Sequence, residues 1–215
     1  MNSLLKGANL YLVGMMGSGK TIVGKLLAPQ LGYKFVDTDE VIEKVTKQSI
    51  TQLFATVKEA AFRQMESQVL SQVCAYKNLA IATGGGIVLQ QKNWSYLHHG
   101  LVVWLDVPPE VLYTRLADDT TRPLLNDPDL AGRLQTLLNQ RQPLYAQADL
   151  RITISKEETP EQVATRVLKE IPTVLKWAGG QVGRWAEELG VFLLSYQKIV
   201  SQNVRYNIVE NFKLL

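Results

Sequence analysis

Gly14-Met15-Met16-Gly17-Ser18-Gly19-Lys20-Thr21 carries the densest chemistry in the chain. It satisfies the Gly-x-x-x-x-Gly-Lys-Thr pattern of a phosphate-binding loop. Each residue type answers a physical need. Gly14, Gly17 and Gly19, with Ser18 between the last two, let backbone N–H groups converge on phosphate oxygens at the head of a helix whose dipole favours anions. Lys20 has the reach for β- and γ-phosphates, and the Thr21 hydroxyl suits Mg²⁺. A glycine-rich turn is the plain alternative. The apolar run before the loop and the helical spacing after it weigh against that.

Other candidates are weaker one by one. Asp37 and Asp39 stand two apart, which places both carboxylates on one side of an extended segment. Asp37, nearer the loop, would hold a Mg²⁺ water, and Asp39 would meet a hydroxyl of an acceptor. Asp39 also suits a plain capping role for a helix starting at Glu40. Arg63 lies four residues after Glu59 and three before Glu66. By spacing alone that is a surface ion pair, although its planar fork also matches a substrate carboxylate. Gly84, Gly85 and Gly86 follow an apolar run, as a turn or as a place where backbone approaches a ligand. Arg122, in the polar stretch 118–129, and Arg141 could neutralise transferring phosphate, yet each alone reads as a solvated charge. His98 and His99 read as a surface turn. No metal-ligand cluster of His, Cys and carboxylate and no Ser-His-Asp set stands out.

These residues need elements to hold them. Leu10–Val13 reads as a buried strand, followed by a helix that Gly32 terminates. Tyr33–Val36, Leu79–Ala82, Leu101–Leu105 and Arg151–Ile154 read as further strands. Helical spacing predicts one long helix over Ser49–Tyr76, one opening at Pro108, one over Leu130–Tyr145, and one from Pro160 that ends before Pro172. Strands alternating with helices imply a parallel sheet with helices on both faces, an α/β fold.

Composition narrows the classes further. The 215 residues are 46% hydrophobic and 20% charged, which excludes wholesale disorder. With 23 Lys+Arg against 20 Asp+Glu, a net charge of +3 gives no reason to expect nucleic acid or an anionic membrane as partner. The single cysteine, Cys74, excludes an internal disulfide and a Cys-rich zinc site, and its apolar neighbours suggest a core thiol. There is no signal-like segment and no apolar run long enough to span a bilayer, so the expected compartment is the cytoplasm.

Taken together, the phosphate loop, Asp37-Thr38-Asp39, Phe62-Arg63-x-x-Glu66, Gly84-Gly85-Gly86, Arg122-Pro123-Leu124-Leu125 and Arg141-x-Pro143-Leu144-Tyr145 resemble the shikimate kinase family, in order and spacing, over about residues 8–170. The resemblance implies a nucleoside-monophosphate-kinase-like P-loop fold: three layers, α/β/α, a five-stranded parallel sheet and a lid. It implies transfer of the ATP γ-phosphoryl to the 3-hydroxyl of shikimate. Gly14, Gly17–Thr21 and Arg122 would hold ATP, and Thr21 and Asp37 the Mg²⁺ shell. Asp39, Arg63, Gly84–Gly86 and Arg141 would hold shikimate. Lys20, Asp39 and Arg122 would serve catalysis. Two departures stand out. Lys58-Glu59 replaces the family's usual Gly-Glu, and Lys156-Glu157-Glu158 lacks the arginine that some members carry near adenine.

Three readings compete: an active shikimate kinase, a kinase of this fold for another small anionic or polyol metabolite, and a catalytically silent binding relative. Intact Lys20, Thr21, Asp37 and Asp39 oppose the last. The domain division places the kinase unit at 1–170 and an extension at 171–215. Apolar residues from Ile171 and Leu175 to Tyr196 and Ile199 keep a 4-3-4-3 spacing there, an amphipathic helix that packs in cis, self-associates or touches a membrane surface. The core unit is expected to be a monomer.

Overall fold

In the computed structural model, the residues described are 4–116 and 129–177. Five strands, β1 (Asn9–Val13), β2 (Lys34–Asp37), β3 (Leu79–Ala82), β4 (Gly100–Asp106) and β5 (Leu150–Thr153), form one sheet in the order β2-β3-β1-β4-β5. Every pairing is parallel. β1 is central and buried at all five positions, the burial expected of a parallel strand covered on both faces.

The order dictates where helices lie. From β1 the chain moves two places outward to β2, while every later crossover moves the opposite way. Right-handed crossovers then put α1 (Lys20–Leu31) on one face. The other face receives α2 (Thr38–Thr46), α3 (Ile50–Thr56), α4 (Glu59–Val73), α5 (Gln91–Leu97), α6 (Pro109–Leu116) and α7 (Leu130–Tyr145). The final helix, α8 (Pro160–Trp177), packs on α1. A single 3₁₀ turn, Ile87–Leu89, precedes α5. The connections from β1 and β3 therefore leave in opposite directions, and the crevice between their carboxyl ends is the topological switch point where open α/β sheets bind ligands.

Three expectations need correction. The predicted helix over 49–76 is two helices, α3 and α4, separated by extended backbone at Val57 and Lys58. No glycine or proline marks the break. Ser49 and Gln52 close a capping box at the head of α3, and Phe54 and Phe62 meet across the gap with ring centroids 4.3 Å apart. Lys58 sits at φ −66°, ψ 147°, which any side chain adopts, so lysine in place of the family's glycine costs the turn nothing. Second, α8 does not end before Pro172 but runs through it to Trp177. The proline forfeits one backbone donor, and fully buried Ile171, with Val174 and Leu175 against the core, holds the helix together. Third, Asp39 does not cap a helix at Glu40. The cap is Asp37, the last residue of β2, and Asp39 lies in the first turn of α2 rather than on an extended segment.

Candidate active site

The crevice is a cavity of about 550 Å³ whose lining includes Gly17–Thr21, Asp37, Asp39, Thr83 and Gly85 together with Arg115, Ile154, Glu158, Pro160 and Val163. Backbone conformation sets the phosphate loop. Gly19, at φ 90°, turns the chain into α1, a left-handed conformation that side chains resist. At Gly14 a Cβ would stand 2.6 Å from the Leu105 carbonyl. Lys20 is buried and folds over the loop, its Nζ donating to the carbonyls of Gly14 (2.9 Å) and Met15 (2.8 Å) and to Ser18 Oγ (3.4 Å). Its ammonium therefore stands over the loop that would receive phosphates.

Thr21 Oγ1 donates to Asp37 Oδ2 at 2.7 Å, and Asp37 Oδ1 caps α2 by accepting from the N–H groups of Asp39 (2.9 Å) and Glu40 (3.5 Å). One carboxylate thus joins β2, α2 and the phosphate loop. A hydroxyl and a carboxylate oxygen together at the cavity wall are hard donors that fit Mg²⁺ accompanying a nucleotide, bound through few protein groups. Among the described residues no group of three or more His, Cys, Asp or Glu could hold a metal alone.

The acceptor side is built from α4, α7 and the glycine triplet. Arg63 is not the surface charge its spacing suggests: it is 8% exposed, and Glu66 is 2% exposed. Arg63 Nη1 donates to Glu66 Oε2 at 2.7 Å and Nη2 to Glu59 Oε1 at 3.0 Å, while Phe54 and Phe62 flank the guanidinium. Burial pulls its pKa down, but Glu66 and Glu59 outweigh this and the net shift is upward. Burial pushes the Glu66 carboxyl up to about 7, with Asp39 adding to the rise and Arg63 and Arg141 opposing it. Arg141, 5% exposed, is likewise no solvated charge.

The triplet fills the space between these charges because it has no side chains. A Cβ at Gly84 would lie 2.5 Å from Glu66 Oε1 and 2.8 Å from Asp39 Oδ1, and one at Gly86 would collide with Arg63 Nη1. Gly84 N–H donates to Thr38 Oγ1 at 3.0 Å, and the Gly85 carbonyl accepts from Tyr145 Oη and Arg141 Nη1. Lys20, Thr21, Asp37, Asp39 and Gly85 line one crevice, with Gly84, Gly86, Arg63 and Arg141 packed beside Asp39 and Gly85. Arg122 lies outside the described residues, as does the lid expected around it. Sequence reasoning took Glu66 only as an ion-pair partner of Arg63, quoted Thr38 and Tyr145 in motifs without a role, and passed over Arg115, whose Nη1 donates to the Gly17 carbonyl at 3.2 Å. The Arg141–Tyr145 spacing, one turn of α7, was an available signal for Tyr145. No sequence signal marked Arg115. Cys74 is half-buried and its thiol is pushed up to about 12 by burial, which leaves it un-ionised and inert.

A parallel sheet in this order, a phosphate loop between its central strand and α1, and an acid at the end of β2 define a P-loop phosphotransferase acting on small molecules. The chain belongs to the shikimate kinase family, whose sequence profile matches residues 16–172. A shikimate kinase of a Nostoc species is 65% identical over 176 residues, covering 82% of this chain and 97% of that protein, and one of Nostoc punctiforme is 66% identical over the same shares. Among solved structures, a shikimate kinase from Acinetobacter baumannii in complex with shikimate has a TM-score of 0.76 at 37% identity, covering 80% of this chain and 97% of that one. A gluconokinase from Sinorhizobium meliloti, at 16% identity and a TM-score of 0.53, shares the fold alone.

Proposed function

We propose that the chain phosphorylates the 3-hydroxyl of shikimate with ATP, yielding shikimate 3-phosphate and ADP. The observation that carries this reading is the convergence of two buried arginines, Arg63 and Arg141, on a glycine triplet that lies against the phosphate loop. Two buried guanidiniums suit a carboxylate, and Asp39, whose carboxylate lies by Gly84 at the cavity wall, suits ring hydroxyls. The relatives at 65% and 66% identity are kinases of shikimate by name, and the Acinetobacter neighbour is a shikimate complex.

In this reading Gly14 and Gly17–Thr21 cradle the phosphates, and Thr21 and Asp37 would hold the Mg²⁺ that travels with ATP, which would supply charge neutralisation along the phosphate chain. Lys20 leaves the loop carbonyls for phosphate oxygens. Asp39 orients the acceptor hydroxyl and takes up its proton as the bond to phosphorus forms. Arg122 adds positive charge over the transferred group. Catalysis rests on positioning and charge neutralisation more than on a strong base. The base end of the nucleotide meets Ile154, Pro160 and Val163, beside Glu158, in a stretch that lacks the arginine some relatives carry.

Of the extension expected at 171–215, we assign residues 171–177 to the kinase unit, because they complete α8 and Ile171 is fully buried in the core. Residues 178–215 lie outside the described residues, as do their cis, self-associating and membrane-surface alternatives. Among the described residues no helix is long and apolar enough to cross a membrane. A cytoplasmic, monomeric kinase unit is the arrangement we favour. The deciding assay is ATP consumption by purified chain with and without shikimate. Shikimate-dependent turnover is expected; its absence, or turnover with gluconate or a nucleoside monophosphate instead, would overturn the reading.

A further inference from the structure

Tyr145 is 0% exposed, yet its hydroxyl is spent on one atom of the candidate site. Oη donates to the Gly85 carbonyl at 2.6 Å and lies 3.7 Å from Met15 Sδ in the phosphate loop. Burial pushes the phenol up to about 12, so it remains a neutral donor at any working pH. Arg141, one helical turn earlier on α7, reaches the same carbonyl more weakly, Nη1 at 3.3 Å. The Tyr145 ring stacks on Trp104 of β4, with centroids 5.8 Å apart.

The tyrosine supplies the shorter of the two bonds to Gly85, so the carbonyl does not need Arg141 as its main donor.

We propose that Tyr145 is a positioning residue for the acceptor: its hydroxyl takes the main hydrogen bond to the Gly85 carbonyl, which fixes the glycine triplet and leaves Arg141 only weakly held by backbone and able to turn to the acceptor's carboxylate. This rests on the acceptor reading given above. Without the hydroxyl, Arg141 becomes the sole donor to Gly85, and the guanidinium is drawn from substrate to backbone.

Tyr145→Phe tests it, because the ring and its packing on Trp104 remain. Full-length wild type and variant are titrated with shikimate and, separately, with ADP by calorimetry, and their melting temperatures are compared. The expected result is about tenfold weaker shikimate binding, ADP binding within twofold of wild type and a melting temperature within a few degrees. Shikimate binding unchanged in the variant overturns the inference alone. Parallel loss of shikimate and ADP binding with a large drop in melting temperature, or a variant too unstable to titrate, makes the role structural and overturns it too. A wild-type chain that binds ADP but not shikimate overturns the acceptor reading, and this inference with it.

Discussion

Arg63 and Glu66 are a buried ion pair; in the acceptor reading the cation faces the substrate carboxylate, while burial pushes the acid up to about 7. Removing the arginine leaves a buried carboxylate without its main partner, which costs about 3–5 kcal/mol where both members are desolvated. Arg63→Ala at pH 8 is therefore expected to lower the melting temperature by several degrees and to raise KM for shikimate at least tenfold, against little change in KM for ATP; steady-state kinetics with both substrates and a thermal melt check this. Glu66 has a pH signature of its own. Its carboxyl is pushed up to about 7 when folded, against about 4.3 in an unfolded chain. Between those values the folded chain binds more protons, so stability falls as pH rises through the window. Glu66→Gln, which keeps an acceptor for Arg63, should flatten this part of the melting-temperature profile between pH 4.5 and 7. An unchanged slope would mean that Glu66 does not titrate there.

At the scale of elements, the glycine triplet after β3 and the break between α3 and α4 act together. The break redirects the chain so that α4 brings Arg63 and Glu66 to the end of β3, and the triplet leaves room for them. Gly86→Ala should push the Arg63 guanidinium off its position, weakening shikimate binding tenfold or more while ADP binding stays within twofold; calorimetric titration with each separates the two. At the loop, Thr21→Ala removes the hydroxyl that pairs with Asp37. If that pair holds the cation of the nucleotide, the Mg²⁺ concentration for half-maximal activity should rise severalfold, and KM for shikimate should change little.

For the whole molecule, the sheet order makes one crevice serve both substrates, since the β1 and β3 connections diverge at the switch point and leave their first turns facing each other. The catalytic unit is expected to need nothing beyond α8. A chain ending after Trp177 should retain kcat and both KM values within about twofold. Loss of activity on truncation would assign 178–215 a part in the kinase itself. Ending the chain at Glu170 should be harmful instead, because it exposes the surface that fully buried Ile171 covers.

The sequence alone determined what is local and periodic: the phosphate loop, the strand residues, the Gly32 helix stop, and the set of motifs whose order marks the family. It also determined the need for a parallel sheet, because alternating strands and helices bury their apolar faces only that way. Tertiary structure decided the rest. The arginines at 63 and 141 look like ordinary surface charges until α4 and α7 bury them beside the glycine triplet. The helix over 49–76 breaks without a glycine or proline because aromatic contacts between Phe54 and Phe62 override a continuous apolar period. Pro172 sits inside α8 because burial of Ile171 outweighs one lost hydrogen bond. Asp37 rather than Asp39 became the cap because the helix began two residues earlier than its charge pattern suggested. In each case the deciding free energy comes from contacts between residues far apart in the chain, and a local window of sequence does not contain them.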